Sequence, residues 1–101
     1  ICRDNRDSGI VYADGAEGTA RQNYCRGNGL YGIQVSDLAQ PVLMENLCED
    51  NGRAGIAYHR LGGGVASHNI CTGNGEAGIL VAPSATPALI DNLCSDRPAS
   101  A

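Results

Sequence analysis

Residues 46–58 read NLCEDNGRAGIAY and residues 69–81 read NICTGNGEAGILV. Aligned, the two stretches keep Asn46/Asn69, Cys48/Cys71, Asn51/Asn74, Gly55/Gly78 and Ile56/Ile79 in the same places. The frame extends outward on both sides without insertion or deletion. Cys2, Cys25, Cys48, Cys71 and Cys94 stand 23 residues apart, and so do Asn5, Asn28, Asn51 and Asn74. Asn23, Asn46, Asn69 and Asn92 keep the same period, as do the pairs Gly9-Ile10, Gly32-Ile33, Gly55-Ile56 and Gly78-Ile79. Recurrence at a fixed period within one chain reports stacked, equivalent environments.

Composition explains why stacking is needed. A chain of 101 residues with 43% hydrophobic content, four tyrosines and neither Phe nor Trp has little with which to build an ordinary globular core. Fourteen glycines, with many Asn, Asp and Ala, favour short strands and tight turns over long helices. The formal charge of -4 is mild, and the seven basic residues are spread along the chain. That pattern supplies neither an electrostatic footprint for nucleic acid nor a polybasic membrane patch. No apolar run approaches the length of a membrane span, and the opening Ile1-Cys2-Arg3-Asp4 carries no targeting signal, so the sequence indicates no compartment.

A leucine-rich repeat would require an L-x-x-L-x-L run, which is missing, and helical-hairpin repeats need longer units. Short alternating runs bounded by Gly, Pro and Asn read instead as strands and turns. Each unit is then one coil, over 2–24, 25–47, 48–70 and 71–93, with a partial coil over 94–101. The expected organisation is a single repeat domain over 1–101, a stretch of a longer array. Coils of constant length place equivalent residues about 4.8 Å apart in parallel, in-register ladders. Parallel crossovers are overwhelmingly right-handed. The sequence therefore predicts an all-β, right-handed parallel β-helix, or β-solenoid. The pattern N-x-C-x-x-N-x-x-x-G-I-x-V, as in Asn46 to Tyr58 and Asn69 to Val81, resembles the right-handed β-helix repeats of the pectate-lyase-like superfamily. Such repeats occur in polysaccharide lyases and hydrolases, mannuronan epimerases, NosD-like proteins and a β-helical F-box protein. The resemblance implies the fold, and polysaccharide as one class of partner. No catalytic motif of that superfamily is matched residue by residue.

Alternation assigns the faces. With Ile10, Ile33, Ile56 and Ile79 inward, Tyr12, Val35, Tyr58 and Val81 also point inward, and the cysteines stack inside with Asn46 and its equivalents. A 46-residue superrepeat overlies the coils. Coils one and three carry Tyr12 and Tyr58 with Ala20 and Ala66, whereas coils two and four carry Val35 and Val81 with Leu43 and Leu89. Large residues in one column are thus matched by small ones in another.

The columns that carry chemistry-bearing side chains also suit ordinary surface roles. Glu45, His68 and Asp91 fall on adjacent coils beside the Asn turn. Two carboxylates flanking an imidazole are the groups needed for acid/base work or metal binding, and equally for a solvated charge ladder. Asp14 and Asp37 form a second column, with His59 alongside. Their one-coil spacing matches the separation used by retaining glycosidases, but Arg60 stacks on Asp37 and favours a salt-bridged turn. Asp4, Asp50 and Asp96, alternating with Gly27 and Gly73, read as turn residues. A single-file thiol column offers poor disulfide geometry and no tetrahedral zinc set, so buried reduced cysteines are expected, with no metal and no cofactor.

The column Tyr24, Leu47, Ile70 and Leu93 is apolar in every coil, with Met44 and Ile90 nearby. Parity places it outside as a continuous stripe and an interface candidate, unless a bulge turns it into the core. The partial coil carries Arg97 and Pro98, and no cap is recognisable, so self-association or flanking repeats of a longer chain are the expected partners. The leading functional expectation is a structural or interaction scaffold without evident catalysis. The alternative is a carbohydrate-binding or carbohydrate-active module.

Overall fold

The computed structural model describes residues 2–3 and 6–95. Coil one contributes β1 (Cys2–Arg3), β2 (Ile10–Tyr12) and β3 (Thr19–Arg21). Coil two contributes β4 (Tyr24–Arg26), β5 (Tyr31–Val35) and β6 (Val42–Met44), and coil three β7 (Leu47–Glu49), β8 (Ala54–Tyr58) and β9 (Val65–Ser67). Then follow β10 (Ile70–Thr72), β11 (Ala77–Val81), β12 (Ala88–Ile90) and β13 (Leu93–Ser95). They stack into three sheets, ordered β1-β4-β7-β10-β13, β11-β8-β5-β2 and β12-β9-β6-β3. Every pairing is parallel and in register, as in Cys25↔Cys48, Ile33↔Ile56 and Leu43↔Ala66. This is the predicted β-solenoid. Asn5, Asp4, Asp96, Arg97 and Pro98, and with them most of the partial fifth coil, lie outside the described residues.

Ile33, Val35, Leu43, Cys48, Ile56, Tyr58, Ala66 and Cys71 are fully buried in one cluster that runs along the axis. Val81 and Leu89, inward by parity, are nonetheless 40% and 47% exposed. Their strands β11 and β12 are the last in their sheets, so no described strand covers them on one side.

Parity slips at one place. The β5–β8 ladder pairs Tyr31↔Ala54 and Ile33↔Ile56 and skips the glycine between them. A Cβ on Gly32 would lie 3.2 Å from the Cys25 Cβ and 2.6 Å from the Gly55 carbonyl oxygen. Gly32 and Ile33 therefore both face inward, and Tyr31 is left on the outer side, where it packs with Ala54 and Ala57 in a separate cluster. The Gly column exists because the next coil's glycine carbonyl, the ladder asparagine amide and the cysteine Cβ all crowd that position, leaving room for no side chain.

Both corners of the cysteine sheet are closed by asparagine ladders. Asn46 donates its backbone N–H and its Nδ2 to Asn69 Oδ1, both at 2.9 Å, and a second Nδ2 bond runs to the Ala20 carbonyl at 3.0 Å. Asn69 repeats this toward Asn92 and Leu43. At the other corner Asn28 donates to Asn51, and Asn51 to Asn74 and the Cys25 carbonyl. Each buried amide is satisfied by its neighbours, so the chain stacks at no desolvation penalty.

No disulfide joins Cys25, Cys48, Cys71 and Cys94. Hydrogen bonding to Cys25 and Cys71, together with burial, pushes the Cys48 thiol far above the usual thiol range. The Tyr58 hydroxyl is the one buried side-chain polar atom without a hydrogen-bond partner among the described residues. Burial, followed by the neighbouring Cys71, pushes its ionisation above the usual tyrosine range.

Candidate functional site

Most corners of the coil pass through a residue in the left-handed region, and the outward chemistry hangs on those corners. Before the cysteine sheet the position is filled by Gln22, Glu45, His68 and Asp91, with φ of 55°, 57°, 54° and 51°. The N–H groups of Glu45 and His68 donate to the carbonyls of Ser67 and Ile90, both at 3.1 Å. Their side chains project into solvent. Arg21 Nε donates to Glu45 Oε1 at 3.3 Å, while His68 Nε2 lies 3.8 Å from Asp91 Oδ2. The column thus resolves into two exposed pairs rather than one convergent triad. Exposed pairs of this kind contribute little to stability and supply no desolvated group for proton transfer.

The corner after the second sheet holds Asp14, Asp37 and Arg60, with φ of 55°, 55° and 44°. Arg60 Nη1 lies 3.6 Å from Asp37 Oδ1, as the stacked order of charges implies. The next position holds Gly15, Leu38 and Leu61, and the two leucines are 59% and 53% exposed. Asp37 and Arg60 stand on a ridge between two surface depressions. One is lined by Asp14, Gly15, Leu38 and Leu61, and the other by Gln34, Ser36, His59, Ala82 and Ser84. The second brings His59 and Asp37 to one wall, as their adjacent register positions predict.

Sequence reasoning missed what anchors that wall. The His59 ring stacks at 5.3 Å and 54° from Tyr31, and the Arg53 guanidinium sits 6.0 Å from the same ring. Arg53 is also bidentate to Glu76, at 3.0 and 3.2 Å, and that carboxylate holds the guanidinium above its ordinary range. The signal was present in the small residues Ala54 and Ala57, which leave space for an outer aromatic. Without the slip at Gly32, however, parity sends Tyr31 to the inside.

The apolar column behaves as outward parity requires, and no bulge takes it into the core. Tyr24, Leu47 and Met44 are half-buried, whereas Ile70, Ile90 and Leu93 are 44%, 48% and 62% exposed. The Tyr24 hydroxyl donates to Glu49, whose carboxylate pushes the phenol's ionisation upward. Around the stripe stand Arg21 on coil one, Arg26 and Glu45 on coil two, Glu49 and His68 on coil three and Asp91 on coil four.

Three parallel sheets, one strand of each per coil, with asparagine-closed corners define a right-handed β-helix, a class set by backbone architecture rather than by any one activity. Residues 1–93 match the family model described as the right handed beta helix region, and the chain belongs to that family. Neither curated proteins nor solved structures give a match. Among the described residues no three His, Cys, Asp or Glu side chains are grouped to hold a metal ion, and no helix is long and apolar enough to cross a membrane.

Proposed function

We propose that this chain is a structural and interaction scaffold, whose stacked coils present a flat, loop-free wall to a protein partner. The observation that carries this reading is the exposed apolar stripe of Ile70 and Leu93, continued by Leu47, on the outer face of the cysteine sheet, with exposed Ile90 just across the corner on β12. Stacked apolar side chains at one strand spacing form a contiguous patch, and such patches mark association surfaces. Other copies of the chain, or flanking repeats of a longer one, are the partners that suit such a wall. The acidic candidates Glu45, Asp91, Asp14 and Asp37 then act as polar rim and turn residues.

A second reading, a carbohydrate-binding or carbohydrate-active module, draws on the depression lined by Gln34, Ser36, Asp37, His59, Arg60 and Ser84. Planar amide, hydroxyl and guanidinium groups on a shallow groove are suited to sugar hydroxyls or uronate carboxylates. Titration of neutral and acidic oligosaccharides, followed by NMR, separates the two. The scaffold reading expects no saturable shifts at His59 and Arg60. Saturable binding that is lost in both His59→Ala and Arg60→Ala would transfer the function to the second reading.

A further inference from the structure

The two asparagine ladders differ in the residue that follows. At the corner before the cysteine sheet, Asn23, Asn46, Asn69 and Asn92 precede Tyr24, Leu47, Ile70 and Leu93, whereas at the corner after it Asn28, Asn51 and Asn74 precede Gly29, Gly52 and Gly75. The stack itself demands those glycines. A Cβ on Gly52 would lie 2.0 Å from the Gly29 carbonyl oxygen, and one on Gly75 would lie 2.0 Å from that of Gly52. The ladder demands the asparagines as firmly, since Asn28, Asn51 and Asn74 are buried and hydrogen-bonded from coil to coil. Stacking thus writes an Asn-Gly pair into three successive coils. Asparagine is a chemically labile residue, and before glycine it is most open to attack by the following backbone nitrogen, which no side chain shields.

In the fold both partners to that reaction are engaged. The Gly52 N–H donates to the Asn28 carbonyl at 2.8 Å, and the Gly75 N–H to the Asn51 carbonyl at 3.0 Å. The Asn51 Nδ2 donates to Asn74 Oδ1 at 3.0 Å and to the Cys25 carbonyl at 3.2 Å, while its Oδ1 accepts from Asn28. Asn51 is fully buried, but the glycine beside it lies on the surface. Opening of this corner alone is therefore enough to release both groups.

We propose that Asn28, Asn51 and Asn74 are deamidation sites gated by opening of this corner, and that the product cannot rejoin the ladder. On opening, the Gly52 nitrogen bonds to the Asn51 Cγ and the Cγ–Nδ2 bond breaks. Nδ2 leaves as ammonia, carrying the proton that the glycine nitrogen gave up, and a cyclic imide remains. Water then adds across one of the two C–N bonds of the imide, giving an aspartyl or an isoaspartyl linkage with no change in oxidation state. The aspartyl product has lost the Nδ2 donor and turns an acceptor oxygen toward the Asn74 Oδ1 and the Cys25 carbonyl. The isoaspartyl product carries an extra main-chain carbon, which breaks the constant coil length on which register depends. A transient opening thereby becomes permanent, and the lifetime of the stack is governed by a rate rather than by its equilibrium stability.

Peptide mapping by mass spectrometry tests the gate. The full chain, with its thiols kept reduced, is incubated in mildly alkaline buffer with and without denaturing urea. In urea, Asn28, Asn51 and Asn74 should convert together while Asn46 and Asn69 keep their amides. Without urea the same three should convert at least ~100-fold more slowly. Converted and unconverted chains from the urea sample, separated by the added negative charge, are then diluted out of urea. Unconverted chains should recover the circular dichroism spectrum and thermal midpoint of fresh protein, and converted chains should not. Equal conversion rates with and without urea overturn the proposal. So does conversion at Asn46 or Asn69 as fast as at Asn51, and so do converted chains that regain the thermal midpoint of the parent.

Discussion

The corners of the cysteine sheet and the corner after the second sheet solve the same problem in different ways. Each turns the chain through a left-handed residue in most coils, Pro83 and Ser84 of coil four being the exception. Around the cysteine sheet, the turn residue is followed by an asparagine whose amide closes the ladder, and Asn46, Asn51 and Asn69 are at most 1% exposed. At the other corner the backbone closes on itself, with Gly15 N–H donating to the Asp37 carbonyl at 2.9 Å and Ala39 N–H to the Ser36 carbonyl at 3.1 Å. No side chain is required there. Asp14, Asp37 and Arg60 consequently differ in charge, whereas the asparagines do not vary from coil to coil. Side-chain closure fixes identity, and backbone closure leaves the column open to surface chemistry.

The contrast is sharpest in stability. Asn51→Ala removes the Oδ1 that accepts from the Asn28 N–H and Nδ2, and the Nδ2 that donates to the Asn74 Oδ1 and the Cys25 carbonyl. Each buried group left unpaired costs about 1–3 kcal/mol, and partial relaxation leaves an expected loss of about 3–5 kcal/mol. Asp37→Asn keeps a residue that tolerates positive φ and removes only an exposed ion pair, so it should change stability by less than about 0.5 kcal/mol. Urea denaturation of the two variants beside the parent measures both. Comparable losses would mean that the two corners are not closed differently at all.

The same contrast explains how much was readable in advance. Coil length, parallel register, the buried cysteine column and both asparagine ladders follow from residues that recur every 23 positions, because stacking turns sequence period directly into spatial neighbours. The outward stripe followed from parity, as did the exposed position of Glu45, His68 and Asp91. What period cannot show is a local departure shared by every coil. The slip at Gly32, Gly55 and Gly78 repeats as faithfully as the rest, so only the crowding around each glycine, by the next coil's backbone and the cysteine column, reveals it. Tyr31, and through it the position of His59, were lost with that slip. The split of Glu45, His68 and Asp91 into two pairs depends on Arg21, whose position one residue earlier in the coil gave no warning.

Inside the coil, Tyr58 breaks the rule that the asparagines obey. Its hydroxyl is buried without a partner, so Tyr58→Phe should stabilise the chain by about 1 kcal/mol at neutral pH. The alkaline limb gives a second reading. In the unfolded chain Tyr58 ionises near its ordinary 10.0, whereas in the fold it keeps its proton well beyond that. Above pH 10 the folded state therefore binds more protons than the unfolded one, and stability falls by about 1.4 kcal/mol per pH unit from this group. Urea midpoints between pH 8 and 11 should fall for the parent and fall less steeply for Tyr58→Phe. Parallel slopes in the two proteins would show that the hydroxyl reaches solvent or a partner.

Leu38 presses the comparison from the other side. It occupies the left-handed region at φ 66° while 59% exposed, a conformation that costs a side chain with a Cβ about 1–2 kcal/mol. At the asparagine-closed corners the equivalent left-handed positions are filled by Gly27, Asp50 and Gly73 on one side, residues suited to positive φ. Leu38→Asn adopts the same conformation with less strain and gives up little buried surface, so it should raise stability by about 0.5–1 kcal/mol, read as a rise in melting temperature of a few degrees. An unchanged or lower melting temperature would mean that Leu38 and Leu61 hold each other in apolar contact strongly enough to offset the backbone. In that case the corner after the second sheet is closed by side chains after all, and the distinction between the two kinds of corner lies in the chemistry of the ladder rather than in its presence.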